Sequence, residues 1–175
     1  MNNTFNTKRL SVNALLAAMC AVLGMISLNT GNLKLSFEGL PVLVGALLLG
    51  PVDGMIIGGL GTLLYQGVRF GLMLTTVLWI VPYIVCGLLA GLYAKKRSFR
   101  LNTKQLIFIT CAVNIMEFLL NTLALYLDSK FWGYTFVYVI GATFPRIAIC
   151  LAKAAVYTAI MPAVLRAANL ARRGR

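Results

Sequence analysis

The sequence predicts an all-α integral membrane protein, a six-helix bundle with both termini cytoplasmic. Three observations point there. Hydrophobic residues make up 60% of the 175-residue chain and charged residues only 11%, whereas soluble domains carry about 25% charge. The apolar residues fall into runs of the length that spans lipid, about 20 residues. The basic residues cluster between those runs. A soluble protein this apolar could not cover its surface with polar groups. Lipid tails solvate apolar faces and require only that the backbone satisfy its own hydrogen bonds.

The first run, about residues 10–28, follows Lys8 and Arg9. It is longer than the apolar core of a signal peptide and no small-x-small cleavage site follows it, so it reads as a retained helix. The next stretch, 39–68, is apolar but broken by Gly50-Pro51-Val52-Asp53. Charge decides how it crosses. Eleven of the sixteen basic residues lie in three segments: Lys8-Arg9, the loop Lys95 to Lys104, and a tail with Arg166, Arg172, Arg173 and Arg175. Cytoplasmic loops are enriched in Lys and Arg. Placing all three inside requires an even number of crossings between Arg9 and Lys95. The broken stretch is then a hairpin, with helices at about 38–50 and 53–66 and its tip at Pro51-Val52-Asp53. Its arms are short for a core about 30 Å thick, so they should pack against other helices. Three more helices follow at about 71–94, 104–127 and 136–166. The outward loops are 29–38 (Lys34, Glu38), 65–71 (Tyr65, Gln66, Arg69) and 128–135 (Asp128, Lys130, Trp132, Tyr134). With no internal repeat and no soluble segment of size, 1–175 reads as a single transmembrane domain.

Composition also excludes function classes. A net charge of +12 would suit nucleic acid, but its clustering between apolar runs points to topology. The chain has no His and no CxxC, and Cys20, Cys86, Cys111 and Cys150 read as small buried hydrophobes, so no metal or cofactor is expected. No GxxxxGK[ST] phosphate loop is present. The chain is not expected to be an enzyme, and a partner or an ion gradient must energise any transport.

The first helix carries Ala14, Ala17, Ala18 and Ala21, two small-xxx-small pairs. Such pairs let helices approach closely in lipid, either to dock another membrane subunit or to pack internally. Seven glycines between Gly39 and Gly61 fit tight packing of the hairpin arms or a gate beside a cavity. Glu117, Arg146 and Lys153 lie within apolar runs, where an ionisable group usually faces the bundle interior or a cavity. Glu117 and Lys153 can pair, which offsets part of their desolvation cost. Arg146, nearer the outside, is expected to face an external cavity and bind an anionic or amide-bearing solute. Asn114, Glu117 and Asn121 share one helix face, as solute-reading groups or as polar glue. Trp79 and Tyr83 also share a face and could stack on a flat ring, as could Tyr138, or pack in the core. Trp132 and Tyr134 could stack likewise or form an interfacial aromatic belt.

The stretch Leu35-Ser-Phe-Glu-Gly-Leu-Pro-Val-Leu-Val-Gly-Ala-Leu-Leu-Leu-Gly-Pro-Val-Asp-Gly, the alanine-rich Ala14-Leu-Leu-Ala-Ala-Met-Cys-Ala, and Leu119-Leu-Asn-Thr-Leu-Ala-Leu-Tyr followed by Phe144-Pro-Arg-Ile resemble the substrate-binding (S) component of energy-coupling factor (ECF) vitamin transporters, over about residues 8–166. The Leu119–Tyr126 and Phe144–Ile147 segments resemble the folate-type branch. The resemblance implies capture of a vitamin outside a bacterial plasma membrane. It also implies docking to a transmembrane coupling subunit that carries two ATP-binding subunits. It assigns the docking face to Ala14, Ala17, Ala18 and Ala21. It puts the closing loops at 29–37 and 65–71, and with them Lys34, Gln66 and Arg69 at the solute. Lys34, Arg69 and Arg146 would meet folate carboxylates and aromatic residues its pterin. In place of a Pro-Gly-rich loop common in that branch, this chain has Gln66-Gly-Val-Arg-Phe-Gly. Cobalamin, a pyridoxine-type vitamin or another precursor would fit the same scaffold. The rival class is a stand-alone secondary transporter using Glu117 as an ion site, although such folds often show two related halves.

Overall fold

The computed structural model describes residues 7–30, 33–133 and 135–173, with the side chains of 28–30, 33–35, 136, 138, 142 and 167–173 outside that description. Six helices are present among the described residues: α1 (Thr7–Met25), α2 (Gly39–Leu49), α3 (Pro51–Phe70), α4 (Thr76–Lys96), α5 (Thr103–Trp132) and α6 (Phe136–Arg173). Two short strands, β1 (Leu28–Thr30) and β2 (Leu33–Leu35), pair antiparallel between α1 and α2. Sequence alone suggests only a loop there, because three-residue strands carry too little alternation to be read. Thr7–Met25, Thr76–Lys96, Thr103–Trp132 and Val139–Arg166 are long and apolar enough to cross a membrane.

The predicted hairpin forms, with its turn one residue earlier than the expected tip. Gly50 has φ 117°, a region that glycine enters without a Cβ clash, and Pro51 starts α3, where its fixed φ suits the first helical turn. Ala46 and Gly54 lie four residues either side of Gly50, and a Cβ on Gly54 would sit 2.6 Å from the Ala46 Cβ. That approach requires α2 and α3 to fold back on each other. α3 then packs between α1 and α4. A Cβ on Gly61 would meet Cys20 and the Ala17 carbonyl, and one on Gly58 would lie 2.6 Å from the Tyr83 carbonyl.

α3 and α5 outrun their expected ends. α3 continues through Tyr65, Gln66 and Arg69 to Phe70, tolerating Gly67 within the helix and ending at Gly71 (φ 77°). Tyr65 and Gln66 are therefore buried helix residues, not loop residues. α5 carries Asp128, Lys130 and Trp132 in its last turns and stops at left-handed Gly133 (φ 70°), a common helix ending. Tyr134 lies outside the described residues.

One end of the bundle collects the basic segments. Arg9 donates to both carboxylate oxygens of Asp53 and, at 2.9 Å, to the Leu49 carbonyl, while Asn13 Nδ2 reaches Asp53 Oδ1 at 2.6 Å. Gly91 abuts Pro51, and the Phe99 ring lies 3.7 Å from where a Gly50 Cβ would be. Leu48 and Phe99 share a cavity with Pro162 and Arg166. The start of α1, the α2–α3 turn, the α4–α5 loop and the α6 region around Arg166 thus share one side, as the crossing-parity argument requires. The core between α2, α4, α5 and α6 is built on Leu43, Leu47, Ala90, Ile109, Tyr157 and Met161. Leucines such as Leu15, Leu64, Leu119 and Leu151 lie on outer faces, where lipid would solvate them.

Candidate functional site

A cavity opens away from the basic end. Ser36 and Glu38 enter it just ahead of α2, Gln66 from the late turns of α3, and Trp79 and Tyr83 from early α4. α5 contributes Asn114, Glu117, Phe118 and Asn121, and α6 contributes Arg146, Ile149, Cys150 and Lys153. Helical spacing explains the convergence. Residues three or four apart stack on one face, so the strips 79/83, 114/117/121 and 146/150/153 each point a continuous edge inward.

Lys153 Nζ donates to Glu117 Oε1 at 2.6 Å, both side chains being less than one-tenth exposed. The Glu117 carboxylate also lies at the start of α2, where a Cβ on Gly39 would be 3.1 Å from Oε2. The amino end of a helix carries partial positive charge and favours an anion. Glu38, buried to 1% exposure, accepts from Ser36 Oγ at 3.0 Å and from the Tyr83 hydroxyl. Gly24 of α1 makes room for it, since a Cβ there would be 2.7 Å from Glu38 Oε2. The Lys153 ammonium lies 5.8 Å from the centre of the Tyr157 ring, close enough for a cation–π contact. Two carboxylates and two cations line the cavity, so its formal charges balance. Three amide side chains and an indole complete a lining able to hydrogen-bond and stack on a polar ring.

Six of the sequence-predicted solute residues meet in this cavity: Gln66, Trp79, Asn114, Glu117, Asn121 and Arg146. Arg69 does not. It is exposed on the last turn of α3, its guanidinium 5.9 Å from the Phe70 ring centre. Lys34 belongs to β2 opposite Asn29, and its side chain lies outside the described residues. Glu38 was missed as a site residue, because it reads as part of an outward loop. The available signal was its rarity, one of four acids in an apolar chain, placed directly before a helix start. The alanines divide: Ala17 and Ala21 are buried, while Ala14 and Ala18 are exposed. Among the described residues, no group of three His, Cys, Asp or Glu could hold a metal.

A family model described as "ECF transporter, substrate-specific component" matches residues 8–167. A search of curated proteins finds no match.

Proposed function

This chain belongs to the ECF transporter substrate-specific components, multi-pass membrane subunits that bind a substrate and work with a membrane coupling subunit and ATPases, and on that premise we propose that its cavity captures a vitamin outside a bacterial plasma membrane, with folate as the first candidate. One observation carries the proposal. Polar side chains from α3, α4, α5 and α6 and from the segment before α2 converge on one cavity inside an otherwise apolar bundle. Polar groups at membrane depth are costly unless they serve one another or a ligand. Arg146 suits a solute carboxylate, Trp79 and Tyr83 suit a flat heterocycle, and Gln66, Asn114 and Asn121 suit its donor and acceptor edges. Cobalamin or a pyridoxine-type vitamin is the alternative cargo for the same role.

The basic end faces the cytosol in this reading, following the positive-inside rule, so both termini are cytoplasmic and the cavity opens outward. ATP is hydrolysed on the two separate ATP-binding subunits. The exposed Ala14 and Ala18 form the docking strip for the coupling subunit, while Ala17, whose carbonyl faces Gly61 of α3, and Ala21 are buried in the bundle. A stand-alone transporter would need the Glu117 carboxylate for a coupling ion, whereas here Lys153 occupies it.

The test is mass spectrometry of small molecules retained by the purified chain, followed by calorimetry with folate, cobalamin and pyridoxine-type vitamins. Nanomolar-to-micromolar affinity for one of them is expected. Arg146→Ala should weaken binding at least about tenfold, the scale of one charge-assisted hydrogen bond, with little change in thermal unfolding. Unchanged affinity in that variant would remove Arg146 from the site, and no vitamin binding by a folded sample would remove the capture role.

A further inference from the structure

A second cavity, of about 130 Å³, lies at the basic end of the bundle and takes no part in the solute site. Its walls are Leu47 and Leu48 at the end of α2, Phe99 and Leu101 of the α4–α5 loop, Leu106 of α5, and Leu165 of α6, and Arg166 lines its edge. Leu47, Leu106 and Leu165 are buried, whereas Phe99 and Arg166 are exposed. Thr103 and Pro162 complete the lining, and the surface that faces the space is more polar than apolar, with leucine side chains beside the polar groups of Thr103 and Arg166. We propose that this cavity binds the phosphate-bearing headgroup region of an anionic phospholipid.

Its depth supports that occupant. The cavity sits where the apolar spans end: α4 stops at Lys96, α5 starts at Thr103 and the α6 span ends at Arg166. That is the level at which phospholipid phosphates lie, and basic pockets between helices on the cytoplasmic side suit anionic headgroups. Charge is complementary there. Lys95, Lys96, Arg97, Arg100 and Lys104 occupy the adjoining loop and helix ends, and the nearby carboxylate of Asp53 is held by Arg9 and Asn13. The space is far larger than one water requires. Its leucines suit the glycerol and first methylenes of an acyl chain, and Thr103 and Arg166 suit the phosphate. The wall formed by Phe99 is fixed by two consecutive left-handed residues, Ser98 (φ 52°) and Phe99 (φ 57°), a conformation disfavoured for side chains with a Cβ.

Native mass spectrometry of the full chain in detergent tests this, with phosphatidylglycerol and phosphatidylcholine of identical acyl chains offered together. Phosphatidylglycerol should be retained preferentially. Arg166→Gln, an exposed change, should cut that retention about tenfold, the effect of losing one charge-assisted contact. Leu101→Trp, which fills the cavity, should do the same, while calorimetric vitamin affinity stays unchanged in both variants. Inorganic phosphate at millimolar concentration should not compete, since the assignment rests on contacts of the leucines with the lipid's apolar portion as well as on the phosphate. Competition by free phosphate would assign the site to a soluble anion and overturn the lipid assignment. Equal retention of the two lipids, or retention unaffected by both substitutions, would overturn it as well. Loss of coupling-subunit co-purification in Arg166→Gln with unchanged lipid retention would assign the cavity to that subunit instead.

Discussion

At the scale of single residues, the Glu117–Lys153 contact shows what a membrane interior asks of charge. Each side chain is less than one-tenth exposed, so removing either leaves an unmatched ion. Glu117→Ala or Lys153→Ala should each destabilise the fold by about 3–5 kcal/mol, and the paired replacement Glu117→Gln with Lys153→Met should recover most of that loss. Thermal unfolding in detergent checks this, and a double variant as unstable as the worse single one would show that the pair is not the cause. Both members were legible in the sequence, because a charge inside an apolar run has few places to go. Glu38 was not. It stands at the edge of its run, where an acid usually meets water, and only the fold reveals that Tyr83, Ser36 and Gly24 enclose it. Arg69 lies outside the cavity lining for the opposite reason. The resemblance makes 65–71 a closing loop, but α3 continues to Phe70 and Arg69 is exposed on its last turn.

At the scale of helices, glycine sets the separations. A Cβ on Gly87 would collide with the Gly54 backbone, while one on Gly141 would meet nothing within 4 Å. Gly87→Ala should therefore wedge α4 from α3 and cost about 1–3 kcal/mol, and Gly141→Ala should be neutral or slightly stabilising through better helix propensity. Equal unfolding midpoints for the two would mean that the close approach carries no energy. The alanine strip of α1 divides the same way. Ala18→Trp should abolish co-purification with the coupling subunit while vitamin affinity persists, since Ala18 faces outward. Survival of the complex in that variant would move the docking face elsewhere. The existence of the α2–α3 hairpin was readable from Gly50-Pro51 and from crossing parity. The extents of α3 and α5 were not, because polar residues in a helix end and in a loop look alike until the break itself, at Gly71 or Gly133, is found.

At the scale of the whole molecule, the two ends of the bundle differ in kind. One gathers Arg9, the α4–α5 loop and Arg166, with the α2–α3 turn clamped between them. Toward the other opens a charge-balanced cavity fed by five segments. That polarity was legible early because basic residues mark the cytoplasmic side of a span. The cavity's floor was not, since it depends on how four helices bring strips of side chains together. Vitamin capture from outside rests on the cavity facing away from the cytosol. Membrane-impermeant maleimide labelling of intact cells tests this most directly, using single-cysteine chains with Lys130→Cys at the end of α5 and Arg97→Cys in the α4–α5 loop, the native cysteines replaced by alanine. The expected result is labelling of Lys130→Cys from outside and of Arg97→Cys only after the membrane is permeabilised. Labelling of Arg97→Cys in intact cells, with Lys130→Cys protected, would contradict the account.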